Sequence, residues 1–460
     1  MSLPIASISS PSALSGRRAY LDGLRGFAAL LVYILHHQLW AHEAQAHVFQ
    51  NAWGYQGEKH VATLPWIRTL FSGGHYAVSV FFVLSGYVLA NKPLRIIHQR
   101  QKQQQVQPAN QEQLLFLQGR LANHLASSLF RRWIRLHLPL IVTTLAYLLS
   151  IRALGIHAVP DPQPTLHAEL LRWYVEIKNF TFVFRSGGEP WFWYNFHAWS
   201  IPIEFRGSVL VFTVLLALSR AGRQARRAGL VLLIYYFLYV VDGWFCALFL
   251  AGALLCDLDL QRGRLHAYYG GGDDPGAMNV YSCHAALVVS VYLGGIPSHT
   301  SSLDVLRESP GWGRLAAWLK PQAVLDYKWF YLFWAATLLV ACLPHIRWLQ
   351  RFFEIRVNQY LGRVSFALYL VHGPVLWTLG ERVYAAVGFR RMAHATHCPG
   401  WIDIWPLRKN GPLGLELAFV IPQTLLLPVT LWMAEVVTRL VDEPTVKFAS
   451  WLEAAWNRFD

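Results

Sequence analysis

Long apolar segments recur along almost the whole chain, separated by shorter segments rich in Arg, Gln, Gly and Pro. A membrane-spanning helix needs roughly 20 mostly apolar residues at a rise of about 1.5 Å per residue. Ten segments meet or approach this length: 20–40, 74–92, 129–152, 198–220, 228–241, 243–258, 280–298, 327–346, 358–381 and 413–442. The pattern predicts an all-α fold, a polytopic membrane helix bundle of about ten transmembrane helices.

The same pattern divides the chain into one membrane domain and two short tails. We expect a cytosolic N-terminal tail over 1–19, a transmembrane domain over 20–445 and a short C-terminal tail over 446–460. Arg17 and Arg18 precede the first apolar segment, which lacks a small-residue cleavage site. This segment is therefore interpreted as a retained anchor rather than a cleaved signal peptide.

Two polar runs interrupt the apolar rhythm and are expected to be solvated connectors. The Gln-rich run 98–118 cannot bury a core and should be mobile or loosely helical, and 270–274 is a Gly-rich turn. By contrast, hardly any polar sequence separates 228–241 from 243–258, which predicts a tight helical hairpin near Asp242.

Composition supports a membrane protein and excludes several other classes. Hydrophobic residues make up 54% of the chain and charged residues 14%, with a mean hydropathy of +0.30. The net charge of +14 is not arranged as a basic stripe with exposed aromatics on a soluble domain, so no nucleic-acid partner is expected. His394, His397 and Cys398 have a superficially metal-like spacing but lack a fourth ligand, and no metal site is expected.

Basic residues in the connecting segments predict the orientation of the bundle. The segment from Lys92 to Arg135, with both ends included, contains eight Lys or Arg residues and one acidic residue, and 220–227 contains four Arg and no acidic residue. Both connections, and both termini, should be cytosolic, because basic residues are retained on that side. Segment 382–412 is external by alternation, although it carries five basic residues against Asp403.

Ionisable side chains inside a membrane are costly, so they indicate where function is concentrated. Arg25 and His36 are 11 residues apart in the first span, which places them on one face and roughly 16 Å apart along the axis. Asp22 is expected to be an N-cap or a partner for Arg25. An imidazole in a dry bundle suits a general base that takes a proton from a hydroxyl. The alternative is a histidine that is hydrogen-bonded for packing.

The third span begins with an arginine cluster. Arg131 and Arg135 are one helical turn apart, and Arg132 is adjacent to Arg131. Guanidinium groups bind phosphates in bidentate fashion, so the cluster is a candidate phosphate site. Arginine at a cytosolic helix end is also ordinary membrane topology or lipid-headgroup contact, and the sequence leaves both interpretations open.

Two further spans carry polar groups. Glu204 lies in the fourth span, and a carboxylate there should be functional or paired with a group on a different helix. Ser365, Tyr369 and His372 are spaced by four and three residues and share one face of the ninth span. We expect this stripe to hold helices together rather than to catalyse a reaction.

Seven segments, in order, resemble the acyltransferase 3 family of integral membrane acyltransferases, and its fungal members most closely. They are YLDGLRGFAALLVYILHH, VSVFFVLSGYVLANK, FRRWIRLHLP, WSIPIEFRGS, FLAGALLCDLD, YLGRVSFALYLVHGPV and VDEPTVKF. The resemblance covers nearly the whole chain. It implies ten core helices and transfer of an acyl group, commonly acetyl from acetyl-CoA, to a hydroxyl of a glycan, lipid or small metabolite.

The resemblance also implies roles for individual residues. Arg25 and His36 fall on the first-helix signature, Arg132 and Arg135 on an Arg-x-x-Arg signature associated with the CoA-bearing donor, and Glu204 on an acidic position. Phe366 stands where the family commonly has Tyr, so a hydroxyl is not required there.

The residues and the resemblance together predict a membrane-embedded O-acyltransferase with acyl-CoA as donor and no permanently bound cofactor. The predicted catalytic residues are His36 and Glu204, and the predicted donor-binding residues are Arg25, Arg131, Arg132 and Arg135. Because neither a GxSxG elbow nor a poised Cys is evident, direct transfer is favoured over an acyl-enzyme. The other expected partners are membrane lipids and a hydroxyl-bearing acceptor, in an endomembrane or plasma membrane. The alternative is a transporter or flippase that uses the intramembrane Arg, His and Glu residues as a substrate or proton pathway.

Overall fold

The computed structural model describes residues 19–106, 111–184, 190–268, 279–319 and 322–458. Their regular structure is helical, and the described residues contain no β-strand. The predicted all-α fold class is confirmed. The N-terminal tail before residue 19 and the Gly-rich turn 270–274 lie outside the described residues.

The α-helices, in chain order, are α1 (Ala19–Ala41), α2 (Ala46–Gln50), α3 (Thr69–Ser72), α4 (Gly74–Val106), α5 (Gln111–Ala153), α6 (Leu166–Phe180), α7 (Ser200–Ala217), α8 (Arg223–Tyr235), α9 (Trp244–Tyr268), α10 (Val280–Gly294), α11 (Leu303–Glu308), α12 (Gly313–Trp318), α13 (Tyr327–Cys342), α14 (Arg347–Glu354), α15 (Arg356–Val375), α16 (Glu381–Ala386), α17 (His394–His397), α18 (Leu417–Val437) and α19 (Glu443–Trp456). Short π-helical turns cover Tyr236–Val240, Leu376–Gly380 and Thr438–Asp442. Short 3-10 segments cover Glu43–Gln45, Tyr55–Gly57, Val61–Thr63, Trp193–Trp199, Leu343–His345 and Pro399–Trp401.

Each of the ten predicted spans corresponds to a helix: α1, α4, α5, α7, α8, α9, α10, α13, α15 and α18. Six helical segments of the described chain are long and apolar enough to cross a membrane: Gly74–Val106, Gln111–Ala153, Trp193–Ala217, Trp244–Arg262, Tyr327–His345 and Leu417–Trp456. Helix α10 is apolar but shorter. Helices α1 and α15 are not among these six segments because they are less apolar. Their polar residues include Arg25, His36 and His372. The number of ten spans therefore stays a prediction.

Two sequence expectations need correction. Helix α4 continues to Val106 and α5 begins at Gln111, so the described part of the Gln-rich run is regular helix rather than a loose connector. Gln, Leu and Arg are good helix formers, which accounts for the difference. The expected C-terminal tail is also helical, since α19 extends to Trp456 and packs against α5.

Helices α1 and α15 pack closely and run in the same direction. Arg25 contacts Gly362 at the start of α15, and three turns further along α1 His36 contacts His372. Gly26 faces Gly362, and a Cβ on either glycine would overlap the backbone of the other helix. The close approach therefore requires glycine at both positions. Arg25 and His36 lie on one face of α1, as their spacing predicted, and this face packs against α15.

Candidate active site

His36 belongs to a compact group of three imidazoles from three segments. Its Nδ1 is 2.8 Å from Nε2 of His372 in α15. Its ring also stacks on that of His197, with centroids 3.7 Å apart and planes inclined by 8°. His197 lies in the 3-10 segment that leads into α7. His36 therefore faces protein groups inside the bundle.

Hydrogen bonds around His372 determine which nitrogen of His36 is free. Nδ1 of His372 lies 3.2 Å from the carbonyl oxygen of Leu368. A carbonyl only accepts, so this nitrogen carries the proton. In the neutral ring, Nε2 of His372 then has the lone pair and accepts from Nδ1–H of His36. Nε2 of His36 consequently keeps a lone pair, which is the form that a general base requires.

Three imidazoles so close together raise the question of a metal ion, since their ligand nitrogens lie within 4.8 Å of one another. The ring planes of His36, His197 and His372 differ by only 8–12°. The lone pair of a ring nitrogen lies in its own ring plane. The ring of His197 stacks on that of His36, so their lone pairs lie in separate parallel planes, and the facing nitrogens of His36 and His372 are joined to each other by a hydrogen bond rather than directed at a shared ion. The arrangement does not fit a metal centre.

Two neighbouring cavities contain most of the predicted site residues. The histidine pocket is lined by Val32, Leu35, His36, Gly74, His75, Val78, His197, Trp199 and Tyr369. The arginine cavity, of about 260 Å³, includes Arg25, Arg132, Arg135, Glu204, Arg363, Ser365, Tyr369 and Asp442 in its lining. Tyr369 lines both cavities, so the two cavities are adjacent at this side chain.

Arg132 is fixed in the arginine cavity by α7. Its guanidinium forms an ion pair with Glu204 and donates from Nε to the Ser208 hydroxyl at 3.0 Å. The sequence predicted that Glu204 pairs with a residue on another helix, and this contact joins α5 to α7. The Glu204 carboxylate and the Ser208 hydroxyl therefore both constrain the orientation of this guanidinium.

Arg25 is held by α15 on the opposite wall of the cavity. Its Nε donates to the Ser365 hydroxyl at 3.2 Å and one Nη donates to the Gly362 carbonyl at 3.1 Å. Asp22 lies 3.1 Å from the same guanidinium, one turn earlier on α1, as the sequence analysis allowed. The side chain is half-exposed, so its remaining donors are accessible.

Arg131 is not among the residues that line either cavity. Its Nε lies 3.1 Å from the carboxylate of Glu453 in α19. The sequence spacing placed Arg131 and Arg135 on one face, but the structure instead brings Arg132 and Arg135 together at the cavity. The two arginines three residues apart line the same cavity, whereas Arg131 contacts α19, and its predicted role in donor binding stays a prediction.

Tyr369 and His372 belong to the polar stripe that was expected to hold helices together. The Tyr369 hydroxyl is 2.8 Å from that of Ser200 and donates to the carbonyl of His197. The stripe therefore links helices, as predicted, but it also lines both cavities. His197 was missed because segment 153–197 was assigned to an external loop. The only sequence signal was its position two residues before the Trp199–Ser200 block.

A second group of histidines, the outer cluster, lies among α16, α17 and the loops beside them. His397 contacts Glu381 at 3.3 Å and Asp161 at 3.4 Å. Arg391 contacts Glu381 at 3.2 Å and Glu43 at 3.0 Å. The hydrogen bond to Glu381 raises the pKa of His397 above its usual value.

The outer cluster explains an inconsistency in the charge pattern. Segment 382–412 has a basic excess that the orientation rule does not predict for an external loop. Arg391 is shared by two carboxylates, and Arg390 lies 2.8 Å from Asp403. Local ion pairs thus compensate the charges of Arg390 and Arg391, two of the five basic residues in this segment. His394 and His397 face Glu381 rather than forming a site with Cys398, which is buried and free.

Comparisons with known proteins identify relatives over most of the chain. The model of the acyltransferase 3 family, described as an acyltransferase domain, matches residues 18–433. The O-acetyltransferase PaAT-1 of Phomopsis amygdali is 30% identical over 393 residues, which cover 79% of this chain and 73% of the relative. The acyltransferase clz18 of Cochliobolus lunatus is 21% identical over 93% of this chain and 94% of the relative. No solved structure matches significantly.

Proposed function

Because the chain belongs to the acyltransferase 3 family, we propose that this membrane acyltransferase moves an acyl group, in the simplest case acetyl, from acyl-CoA to a hydroxyl. The acceptor is a small metabolite, a lipid or a glycan. The relative PaAT-1 is named an O-acetyltransferase, which supports both the acetyl group and the oxygen acceptor. The observation that carries the proposal is the imidazole of His36, with a free lone pair, beside a cavity lined by arginines.

The charge of the arginine cavity suits the phosphates of CoA. Four guanidinium groups line it, those of Arg25, Arg132, Arg135 and Arg363, against the two carboxylates of Glu204 and Asp442. Counted over the lining residues alone, the difference is two positive charges, and the carboxylates of Asp22, Glu435 and Glu443 contact Arg25 and Arg363 from outside the lining. Guanidinium groups bind phosphate oxygens through paired N–H donors, and Arg132 is already oriented by Glu204 and Ser208. In the proposed complex, Arg25, Arg132 and Arg135 hold the phosphates.

The reaction then takes place at the histidine pocket. Arg25 and His36 are about three helical turns apart, roughly 16 Å, a separation that the extended pantetheine arm can cross. Nε2 of His36 takes the proton of the acceptor hydroxyl as its oxygen attacks the thioester carbonyl. The C–S bond breaks, and the CoA thiolate leaves and takes up the proton from the imidazolium. Direct transfer of this kind needs no acyl-enzyme, and a base of this type contributes about 10²- to 10⁴-fold in rate.

The direct test uses the full chain in lipid nanodiscs with labelled acetyl-CoA. A metabolite extract from a strain that lacks the gene supplies the acceptor, and mass spectrometry identifies the acetylated product. We expect a labelled product only when chain, donor and acceptor are all present. Movement of an extract component across vesicles without CoA, and no labelled product, would instead support a transporter or flippase.

Donor binding is tested by a pair of adjacent arginines. Arg132→Ala should raise the KM for acetyl-CoA more than it lowers kcat, because it removes a phosphate contact far from the thioester. Arg131→Ala is the matched control, because this neighbouring guanidinium pairs with Glu453 and does not line the arginine cavity. Equal KM values for both variants and the unmodified chain would overturn the donor site.

A further inference from the structure

A third cavity lies away from the acyl-transfer site, at the end of α10. It has a volume of about 190 Å³, and its walls come from the segment around residues 52–68, from α10 and from the turn at 310–312. The sequence predicts that these connections lie outside the bundle on the external side. We call this cavity the Arg68 pocket.

Arg68 is the one charged residue among the residues that line this pocket. Its side chain is 3% exposed. One Nη donates to the Asn51 carbonyl at 2.7 Å and the other to the Phe49 carbonyl at 3.3 Å. The buried Nε has no hydrogen-bond partner among the described residues. Two of five N–H donors are therefore used, and the side chain is fixed in position while it keeps donors to spare.

Among the described residues, no carboxylate forms an ion pair with Arg68. Burial lowers its pKa to about 10, and the groups that oppose this shift are the phenols of Tyr327 and Tyr292 rather than acids. Arg68 remains a cation at neutral pH. Most buried charges in proteins are paired, because an isolated one is costly. Arg226, which is also buried, has such a partner, since its guanidinium lies 2.8 Å from the carboxylate of Asp257.

The walls of the Arg68 pocket are flat and apolar. Trp53 and Trp312 line it together with Tyr292, whose ring stacks on Trp312 at a centroid distance of 4.9 Å and an angle of 13°. Pro65 and Pro310 complete the apolar surface. Aromatic walls favour a flat ligand, and a cavity of about 150 Å³ accommodates a benzene ring. The pocket is therefore large enough for one ring and a small charged group.

We propose that the Arg68 pocket binds a small organic anion with a flat apolar body, of which an aromatic carboxylate is the simplest example. The carboxylate accepts hydrogen bonds from the free N–H groups of Arg68, and the ring lies between the aromatic walls. The carboxylate of the ligand would then pair with the buried guanidinium of Arg68, for which the described residues provide no carboxylate. The proposal does not depend on acyl transfer and concerns a separate site.

The test is equilibrium dialysis of labelled benzoate with the full chain in nanodiscs, with empty nanodiscs subtracted. We expect one saturable site per chain. Unlabelled benzoate should compete, whereas benzamide, which has the same shape without the charge, should bind roughly tenfold more weakly or worse. Inorganic phosphate, which lacks a flat body, should not compete. Equal competition by benzamide would overturn the proposal.

Variants assign the binding to this pocket. Arg68→Gln should weaken benzoate binding roughly tenfold or more, and Trp53→Ala should weaken it by removing one wall. Arg307→Gln is the matched control, because Arg307 is exposed on the same side and is paired with Asp304. Unchanged affinity in a folded Arg68→Gln variant would overturn the proposal. If that variant does not fold, Trp53→Ala and the preference for benzoate over benzamide decide the question.

Binding to the acyl-transfer site is distinguished by two further variants. His36→Ala and Arg132→Ala should bind benzoate as the unmodified chain does, in the absence of CoA. Loss of binding in Arg132→Ala would place the anion in the arginine cavity and would overturn the assignment to Arg68. The outcome is independent of the acyl-transfer assay, because no turnover is measured.

Discussion

The histidine pocket and the outer cluster both contain several imidazoles, but different groups surround them. The described residues that line the histidine pocket include no Asp or Glu, and His36 contacts other imidazoles. In the outer cluster, His397 lies between the carboxylates of Glu381 and Asp161. In the proposed mechanism, the histidine among imidazoles keeps a lone pair for proton transfer, whereas the hydrogen bond to Glu381 raises the pKa of His397, whose ion pairs join separate segments of the fold.

The largest effect should come from the inner imidazole. His36→Ala should lower kcat about 10²- to 10⁴-fold, because it removes the group that takes the acceptor proton. The KM for acetyl-CoA should change little, since the arginine cavity is intact. The measurement is turnover of labelled acetyl-CoA in nanodiscs. His397→Ala serves as the control and should turn over normally, and an equal loss in both variants would remove the distinction between the two groups.

The next effect concerns stability and belongs to the outer cluster. Glu381 is fully buried and contacts both Arg391 and His397. Glu381→Gln should destabilise the protein by roughly 3 kcal/mol, because it leaves buried charges without their partner. Glu43→Gln removes the other carboxylate of Arg391, but this group is largely exposed, and the cost should be at most about 1 kcal/mol. Thermal unfolding of the two variants measures both losses of stability. Equal decreases in melting temperature would show that the burial of Glu381 does not make its ion pairs more stabilising than that of Glu43.

The two groups of histidines also differ in how well the sequence predicted them. His36 was identified because helical spacing places it on the same face as Arg25, and that spacing is a local property. His372 was interpreted as packing, and His197 was not identified at all, because their role depends on which helices meet. The sequence of one helix does not show which helices pack against it. The contact among the three imidazoles could therefore be identified only from the structure.

The same limit applies to the arginines. Arg132 and Arg135 match a pattern three residues apart, and Glu204 was expected to find a partner on another helix. Arg131 has an equally suggestive spacing, but α19 covers it through Glu453. The sequence did not predict α19 as a helix and treated it as a short tail. The fold class followed from the length of the apolar segments, whereas the selection among neighbouring arginines depended on a distant contact.

A smaller effect tests how His372 assists His36. His372→Phe removes the acceptor for Nδ1–H of His36, so the ring is no longer held in the tautomer with a free Nε2, and kcat should fall about tenfold. His372→Gln should recover part of the loss, because its amide oxygen can accept the same hydrogen bond. The pH profile of kcat should also shift in the Phe variant. Equal rates and equal profiles for the two variants would indicate a packing role only.

The smallest effect is a pH dependence of stability that comes from His397. Its pKa is raised in the folded protein, chiefly by the hydrogen bond to Glu381, so the folded state binds the proton more tightly than the unfolded state. The stabilisation is complete below the unfolded pKa of about 6.5 and is lost as the pH rises through the folded pKa. The melting temperature should therefore decrease as the pH rises above about 6.5. His397→Asn should reduce that decrease, whereas His36→Ala should leave the contribution from His397 in place. An unchanged pH dependence of the melting temperature in His397→Asn would show that protonation of His397 does not stabilise the fold. The proposed difference between the two histidine groups would then be wrong.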